Sequence, residues 1–208
     1  MESERAAHGV LGDGRRWALP TCTFESDEAV RADQKNMITA NEYHDTPDVL
    51  AAKVKAVAAL VRRAQCCVAY TGAGISRASG IGDYASKSAN ARKLKSRLAA
   101  QPTYAHHALA ALHTQCTPPL LHRWVQQNHD GLPQKAGMPQ AALNEIHGAW
   151  FDPSNPVVKF SGSLRDDLYA DMLALERRVD LTLVLGTSLS GMNADRMAET
   201  PARRPPDG

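Results

Sequence analysis

The sequence predicts an α/β fold: a doubly wound, mostly parallel Rossmann-like sheet carrying a small inserted subdomain. Three observations carry that reading. Two short apolar runs, Cys66–Tyr70 and Leu181–Leu185, read as buried strands, and both stop at glycine turns, Thr71-Gly72-Ala73-Gly74 and Gly186-Thr187-Ser188. Segments with helical spacing separate the strand candidates. Strands that alternate with helices favour a parallel sheet, whose ligands bind outside the carboxyl ends of the strands.

Taken in order, residues 1–45 are polar and aperiodic and read as an irregular N-terminal arm. Thr46-Pro47-Asp48 opens a helix, with Thr46 as cap and Pro47 at the first helical position. Leu50, Val54, Val57 and Val61 recur at helical spacing and predict one apolar face. The strand Cys66–Tyr70 follows. Ser86 to Arg97 is small and basic, with Arg92, Lys93, Lys95 and Arg97 close together, and reads as a solvated helix face. Pro102-Thr103 starts the next helix. Leu120–Val125 reads as a second strand and Val157–Phe160 as a third. Pro133–Ile146 reads as a loop with a short helix, and Arg165–Arg178 as a helix with Leu168, Met172 and Leu175 on one face. Pro201–Gly208 is proline-rich and predicts an unstructured tail. The expected division is an arm over 1–45, a catalytic domain over 46–195 with a reduced subdomain within about 85–160, and a disordered tail over 196–208.

Bulk properties narrow the function classes. The chain has 208 residues and a formal net charge of +2, which gives no global nucleic-acid or membrane signal. Mean hydropathy is −0.37. No apolar run approaches the roughly 18 residues that cross a bilayer. The opening Met1-Glu2-Ser3-Glu4-Arg5 lacks the apolar core of a secretory signal, so an intracellular setting, cytoplasmic or nuclear, is expected. Cys22, Cys66, Cys67 and Cys116 form no C-x-x-C pair, and Cys66 and Cys67 read as buried reduced thiols. No zinc site is expected from them.

The chemistry concentrates at Val68–Asp83, VAYTGAGISRASGIGD. A strand ending in glycines and turning helical is how α/β proteins hold a phosphate: the backbone comes close, and helix N-terminal N–H groups face the anion. Gly72-x-Gly74 is only part of the dinucleotide fingerprint, and no clean strand-end carboxylate follows about 20 residues on. Polar groups at three strand ends, Gly74/Ser76, Gln127/Asn128 and Thr187/Ser188, are placed to converge on one crevice. His106, His107, His113 and His122 carry no motif and read as structural or surface residues, and Trp124 and Trp150 as packing residues.

In combination these residues resemble the sirtuin family. Thr71-Gly72-Ala73-Gly74-Ile75-Ser76 with Gly80-Ile81-Gly82-Asp83-Tyr84 is similar to the family's GAGIS and GIPDF segments. Gln127-Asn128-His129-Asp130-Gly131-Leu132 is similar to its QN-[IV]-D-x-L segment. Glu145-Ile146-His147-Gly148, Phe160-Ser161-Gly162-Ser163-Leu164 and Gly186-Thr187-Ser188-Leu189 resemble its histidine-glycine, substrate and GTSL segments.

The resemblance implies an NAD-dependent protein-lysine deacylase, in which the acyl oxygen of an acyl-lysine attacks the nicotinamide ribose as nicotinamide leaves. It implies His147 as the base and Asn128 as the residue holding the ribose, supported by Gln127. It places the nicotinamide carboxamide at Asp130. Gly72, Ala73, Gly74, Ile75, Ser76, Asp83, Tyr84, Gly186, Thr187 and Ser188 are implied as further cofactor contacts. Phe160, Ser161, Gly162, Ser163 and Leu164 are implied to pair with an acyl-lysine protein or peptide by strand addition.

Four departures qualify the match. Ala85 stands where the family has arginine, His129 where a branched apolar residue is usual, and the four-cysteine zinc module after the histidine-glycine motif is absent. After Ser188 the family continues with further strands, so the sheet is expected to lack its last strands. Alternatives are NAD glycohydrolase or ADP-ribosyl transfer from the same site, and a catalytically weak NAD- or peptide-binding module or truncated fragment.

Overall fold

The sheet is built where the sequence is most apolar. β-branched and aromatic residues in Cys67–Thr71 fill a fully buried central strand, and Leu181–Leu185 pairs beside it in parallel. The computed structural model describes residues 8–25, 42–82, 97–159, 161–189 and 192–204. The basic run Arg92–Lys95 and the site candidates Asp83, Tyr84 and Phe160 lie outside them, as does Ala85.

The chain divides into two compact units, Met1–Leu60 and Val61–Gly208. The first contains strands β1 (Thr21–Phe24) and β2 (Glu42–His44), paired antiparallel with Thr21 opposite His44. This corrects the irregular arm expected over 1–45: one face of a short exposed hairpin needs no apolar alternation, so the pattern carried no strand signal. Helix α1 runs Pro47–Arg63, beginning at the expected proline. Its predicted apolar face is also corrected. Leu50, Val54 and Val57 are exposed, while Val49 and Val61 are buried.

The second unit holds strands β3 (Cys67–Thr71), β4 (Arg123–Gln126), β5 (Leu143–Glu145) and β6 (Leu181–Leu185) in the order β5-β4-β3-β6, every pairing parallel. Helices cover both faces. On one, α4 (Asp166–Arg178) and α5 (Arg196–Ala202) bring Met172, Leu175 and Met197 against Val68, Tyr70 and Val125. On the other, α2 (Tyr104–Thr114) brings Leu109 and Ala110 to Ala69 and Trp124. A short α3 (Leu132–Lys135) follows β4. Two crossovers leave β3 toward β5, and the third returns from β5 to β6 on the far side of β3. The winding therefore reverses between β3 and β6, and in open α/β sheets ligands bind at such a switch point, outside the carboxyl ends of the strands.

Local chemistry sets the element ends. Thr103 caps α2 through a reciprocal pair with His106, whose Nδ1 accepts from Thr103 N–H at 3.1 Å. α4 opens on Asp166 and Asp167 and closes on Arg177 and Arg178, which complements its dipole. The Asp180 carboxylate accepts from Gln65 N at 2.7 Å and Cys66 N at 2.9 Å, joining the α4–β6 turn to the start of β3.

Four more expectations are corrected. Β5 lies inside the segment read as loop and short helix, because its middle and last residues are the polar Asn144 and Glu145. Val157–Lys159 is not a strand; Val158 N–H instead donates to His147 O at 2.9 Å. The span expected to hold a separate subdomain supplies α2, β4 and β5 to the main sheet. The segment expected as a disordered tail forms α5 through Ala202, with Met197 fully buried and Thr182 Oγ1 donating to its carbonyl at 3.1 Å. Pro201 sits near the end of that helix, where the N–H it lacks costs least.

Candidate functional site

The turn after β3 is built by backbone packing against the turn after β6. Gly72 N donates to Leu185 O at 3.0 Å and Gly74 N to Gly186 O at 2.8 Å. A Cβ on Gly74 would lie 2.7 Å from Gly186 Cα, and one on Gly72 2.7 Å from both Gln127 Oε1 and Thr187 Cβ. Gly186 has φ +64°. These glycines thus let three strand-end turns close on one another. Residues Ala73–Ser79 form a 3-10 helix, and the Gly74 N–H expected to face an anion is taken by Gly186. That corrects the simple picture of a free helix N-terminus at this turn.

The second layer comes from the turn after β4. Asn128 Nδ2 donates to Gly72 O at 3.0 Å and to Ser76 Oγ at 3.1 Å. Ser76 Oγ donates to Asp130 Oδ2 at 2.6 Å, and Asp130 Oδ1 accepts from Leu132 N at 3.0 Å. Ser76 and Asp130 are each 1 % exposed. Asp130 is therefore committed to shaping the Asn128 turn.

Gln127 is anchored from below by two residues that motif reading missed. Its Nε2 donates to Asp195 Oδ1 at 3.0 Å and contacts the Tyr70 hydroxyl, which itself donates to Asp195 Oδ1 at 2.8 Å. Burial, followed by the nearby Asp195 charge, drives the Tyr70 phenol above its ordinary range, so it stays a donor. The available signal was a tyrosine on a fully buried strand, whose hydroxyl needs a partner.

His147 follows β5 and is buried. Burial lowers its pKa from the ordinary value. A hydrogen bond to the Gln127 backbone opposes that shift, as an imidazole N–H donating to a carbonyl does. The lowered pKa leaves the ring neutral near pH 7, able to accept a proton. Gly148 has φ +89°, and a Cβ there would overlap Pro156 O. His129 Nδ1 lies 2.9 Å from Gly148 O, and Trp150 N donates to His129 O at 2.9 Å. His129 therefore ties the Asn128 turn to the His147 turn, a polar latch where an apolar residue was the expected pattern.

The loop after Gly148 is closed by a residue the sequence did not single out. Asn155 is 4 % exposed; its Nδ2 donates to Glu145 O at 3.0 Å and its carbonyl accepts from Ala149 N at 2.8 Å. Phe151, in the same loop, is 48 % exposed and does not close it by burial. Among the described residues no group of three or more His, Cys, Asp or Glu side chains is arranged to hold a metal ion.

The remaining predicted residues divide. Ile75 is buried, and Ser188 and Gly186 face solvent beside Thr187. Ser161, Gly162 and Ser163 are exposed and form no strand, with Gly162 N turned back to Lys159 O at 2.7 Å. The other histidines and Trp124 are structural: His122 Nδ1 accepts from Cys67 N at 3.1 Å, His113 Nδ1 lies 2.8 Å from Leu121 O, and Trp124 Nε1 donates to Thr71 Oγ1 at 2.8 Å. His107 is exposed. No described helix is long and apolar enough to cross a membrane.

The fold is Rossmann-like, and the candidate residues gather at the strand-order switch. No protein-family model matches the chain. The human protein "NAD-dependent protein deacetylase sirtuin-7" is 38% identical over 118 residues, covering 51% of this chain and 28% of that protein. The Drosophila melanogaster "NAD-dependent protein deacetylase Sirt6" is 31% identical over 137 residues, covering 62% of this chain and 42% of that protein. The chain thus spans less than half the length of these curated relatives. Among solved structures, "Structure of Sir2Tm bound to a propionylated peptide" superposes with a TM-score of 0.60 at 25% identity, covering 73% of this chain and 82% of that one. A complex described as "Sir2-p53 peptide-NAD+" gives a TM-score of 0.61 at 24% identity over 72% of this chain and 82% of that one, a likeness of fold. Over about half its length the chain is thus similar in sequence to sirtuins, and its fold superposes on a sirtuin structure.

Proposed function

We propose that this chain binds NAD and an acyl-lysine peptide and removes the acyl group from the lysine, releasing nicotinamide. One observation carries the reading: a buried His147 with its pKa lowered follows β5 at the same end of the sheet where Gln127 and Asn128 follow the paired strand β4. The names of the relatives, NAD-dependent protein deacetylases, support it.

The residues present fit the nicotinamide-ribose half of the cofactor. Gln127 and Asn128 are only partly buried and stand between the Gly72 turn and His147. Bound NAD supplies the glycosidic bond that breaks and the ribose that accepts the acyl group. Asn128, fixed by Gly72 O and Ser76, positions the ribose through its remaining amide oxygen. Gln127 supports the same sugar and is kept from rotating by Asp195 and Tyr70. His147 accepts a proton from a ribose hydroxyl at an imidazole nitrogen. Such a base contributes roughly 10²–10⁴-fold in rate. Asp130 orients Ser76 and the Asn128 turn and borders the carboxamide position. Gly72, Ala73, Gly74, Gly186, Thr187 and Ser188 line the phosphate side, and Asp83, Tyr84 and Phe160 to Leu164 complete the cofactor and peptide contacts.

Buried Cys66 and Cys67 suit a reducing compartment, so we place the protein inside the cell, in cytoplasm or nucleus. The test is nicotinamide release from NAD with and without acetyl- and longer acyl-lysine peptides. Release should require peptide and fall at least about 100-fold in His147→Ala. Undiminished turnover by that variant would refute the assignment. Peptide-independent release would instead indicate glycohydrolase chemistry, and NAD binding without turnover a binding module.

A further inference from the structure

Outside the crevice, a cavity of about 440 Å³ is lined by Leu98, Gly131, Gln134, Glu145, Phe151 and Asp152, among others. Its volume lies in the usual range for small-molecule sites, about 300–1,000 Å³. Its wall holds a carboxylate that nothing in the proposed deacylation uses. Glu145 is 2 % exposed, and no cation is paired with it among the described residues.

Glutamine amides surround this carboxylate. Gln126 Nε2 donates to Oε1 at 3.0 Å, and Gln134 Nε2 to Oε2 at 2.9 Å; Gln140 Nε2 approaches Oε2 at 3.4 Å. These amides leave the negative charge formally unbalanced in a site largely shielded from water, where an isolated charge is costly. Burial raises the Glu145 pKa, as expected for a carboxylate short of positive charge. A second group points the same way: Gln134 Oε1 is buried without a hydrogen-bond partner. It is an acceptor in want of a donor. Among the described residues the basic side chain of the wall is Lys135, which is engaged elsewhere, with its Nζ donating to Leu98 O at 2.9 Å and Ala100 O at 3.0 Å. The remaining wall offers apolar surface from Leu98, Ala149 and Phe151.

We propose that this cavity binds a small cation, an ammonium or guanidinium head on a short apolar stem, with Glu145 as its counter-ion and Gln134 Oε1 as a further acceptor. A donor-only head matches two acceptors, and the stem matches Leu98, Ala149 and Phe151. The site is distinct from the crevice and does not depend on NAD binding. It is linked to it through the backbone, because Glu145 O accepts from Gly148 N at 2.9 Å, one residue past His147.

The test is titration of the full chain with n-butylguanidinium and n-butylammonium, followed by amide NMR, with butyramide as the uncharged control. Saturable shifts are expected at Gly131 and Ala149 with the cations and not with butyramide. Glu145→Gln should weaken cation binding about tenfold or more, the loss of one charge-assisted hydrogen bond. Equal binding of butyramide, or undiminished binding by a folded Glu145→Gln chain, would overturn the proposal. Phe151 is 48 % exposed, so Phe151→Ser provides a variant that keeps the fold. In the parent chain the butyl cation should bind more tightly than methylguanidinium; in Phe151→Ser that advantage should vanish, and its persistence counts against the site. Adding Nα-acetyl-lysine methylamide separates the sources: its binding identifies a protein side chain, its exclusion a free amine.

Discussion

Replacing Gly186 by alanine tests whether the turns after β3 and β6 are held together by backbone-on-backbone packing. Gly186 sits at φ +64°, and its Cβ would overlap Ile75 N and lie 2.8 Å from Gly74 C. The left-handed conformation costs a side-chain-bearing residue roughly 1–2 kcal/mol. The overlapped atoms are main chain and cannot rotate away, so displacement adds about 1–3 kcal/mol, as overpacking does. Separating the turns also breaks the Gly74 N to Gly186 O bond, worth about 0.5–1.5 kcal/mol. A destabilisation of about 3–6 kcal/mol is therefore expected, a large share of the roughly 5–15 kcal/mol of a typical domain. Gly137 provides the control, with φ +96° and nothing within 4 Å of its would-be Cβ. Gly137→Ala should lose only the conformational part, about 1–2 kcal/mol. Urea unfolding followed by tryptophan fluorescence measures both. At a slope of about 2 kcal/mol per molar, the Gly186 variant's midpoint should drop by roughly 1.5–3 M. Gly186→Ala no less stable than Gly137→Ala would refute the reasoning.

Two further outcomes follow from buried titratable groups. Burial lowers the His106 pKa from 6.5 to about 4, so the ring is neutral in the fold and protonates first in the unfolded chain. Its contribution is complete above pH 6.5 and is lost as pH falls toward about 4, up to roughly 3 kcal/mol. His147, also depressed by burial, acts in the same direction. Unfolding midpoints measured from pH 7.5 to 4 should therefore decline less steeply in His106→Leu, and an unchanged slope would count against the assignment. Cys67 is fully buried with its thiol pushed up to about 11, chiefly by desolvation, whereas Cys22 is exposed. Iodoacetamide at pH 7.5 under native conditions, read by peptide mass spectrometry, should modify Cys22 and leave Cys67 untouched; early labelling of Cys67 would contradict the buried strand.

What was legible in the sequence follows physical signal strength. Β3 and β6 are continuous apolar runs ending in glycine, and α2 and α4 begin at capping or acidic residues, so their positions could be read within a few residues. Β5 could not, because a three-residue strand ending in Asn144-Glu145 has no apolar period, and its stability comes from pairing with β4. Val157–Phe160 misled in the opposite direction: apolar residues beside a proline read as a strand, while Val158 bonds to the His147 turn. At the site, the motif glycines were visible but not what they touch. A glycine pattern cannot distinguish approach to a ligand from approach to a second turn, and Gly74 against Gly186 is the latter. Asp195, far from any motif, was invisible until the 3-10 turn Asn193–Asp195 brought it to Tyr70 and Gln127.

The latch at Asn155 bears on how such a site tolerates change. Ala149 N–H meets Asn155 O at 2.8 Å, so the ends of the loop between them are clamped together whatever lies at its tip. Phe151, Pro153 and Ser154 project into solvent from that tip. Inserted residues there would break the Asp152 turn, in which Ser154 N donates to Asp152 Oδ1 at 2.9 Å and Asn155 N to Asp152 O at 3.0 Å, and would add closure entropy, which grows by only about 0.6 kcal/mol for each doubling of loop length. The exposed turn at Asp152 and Pro153 is thus a graft point, where the loss of that turn is local and the clamp at Ala149 and Asn155 keeps His147 in its place.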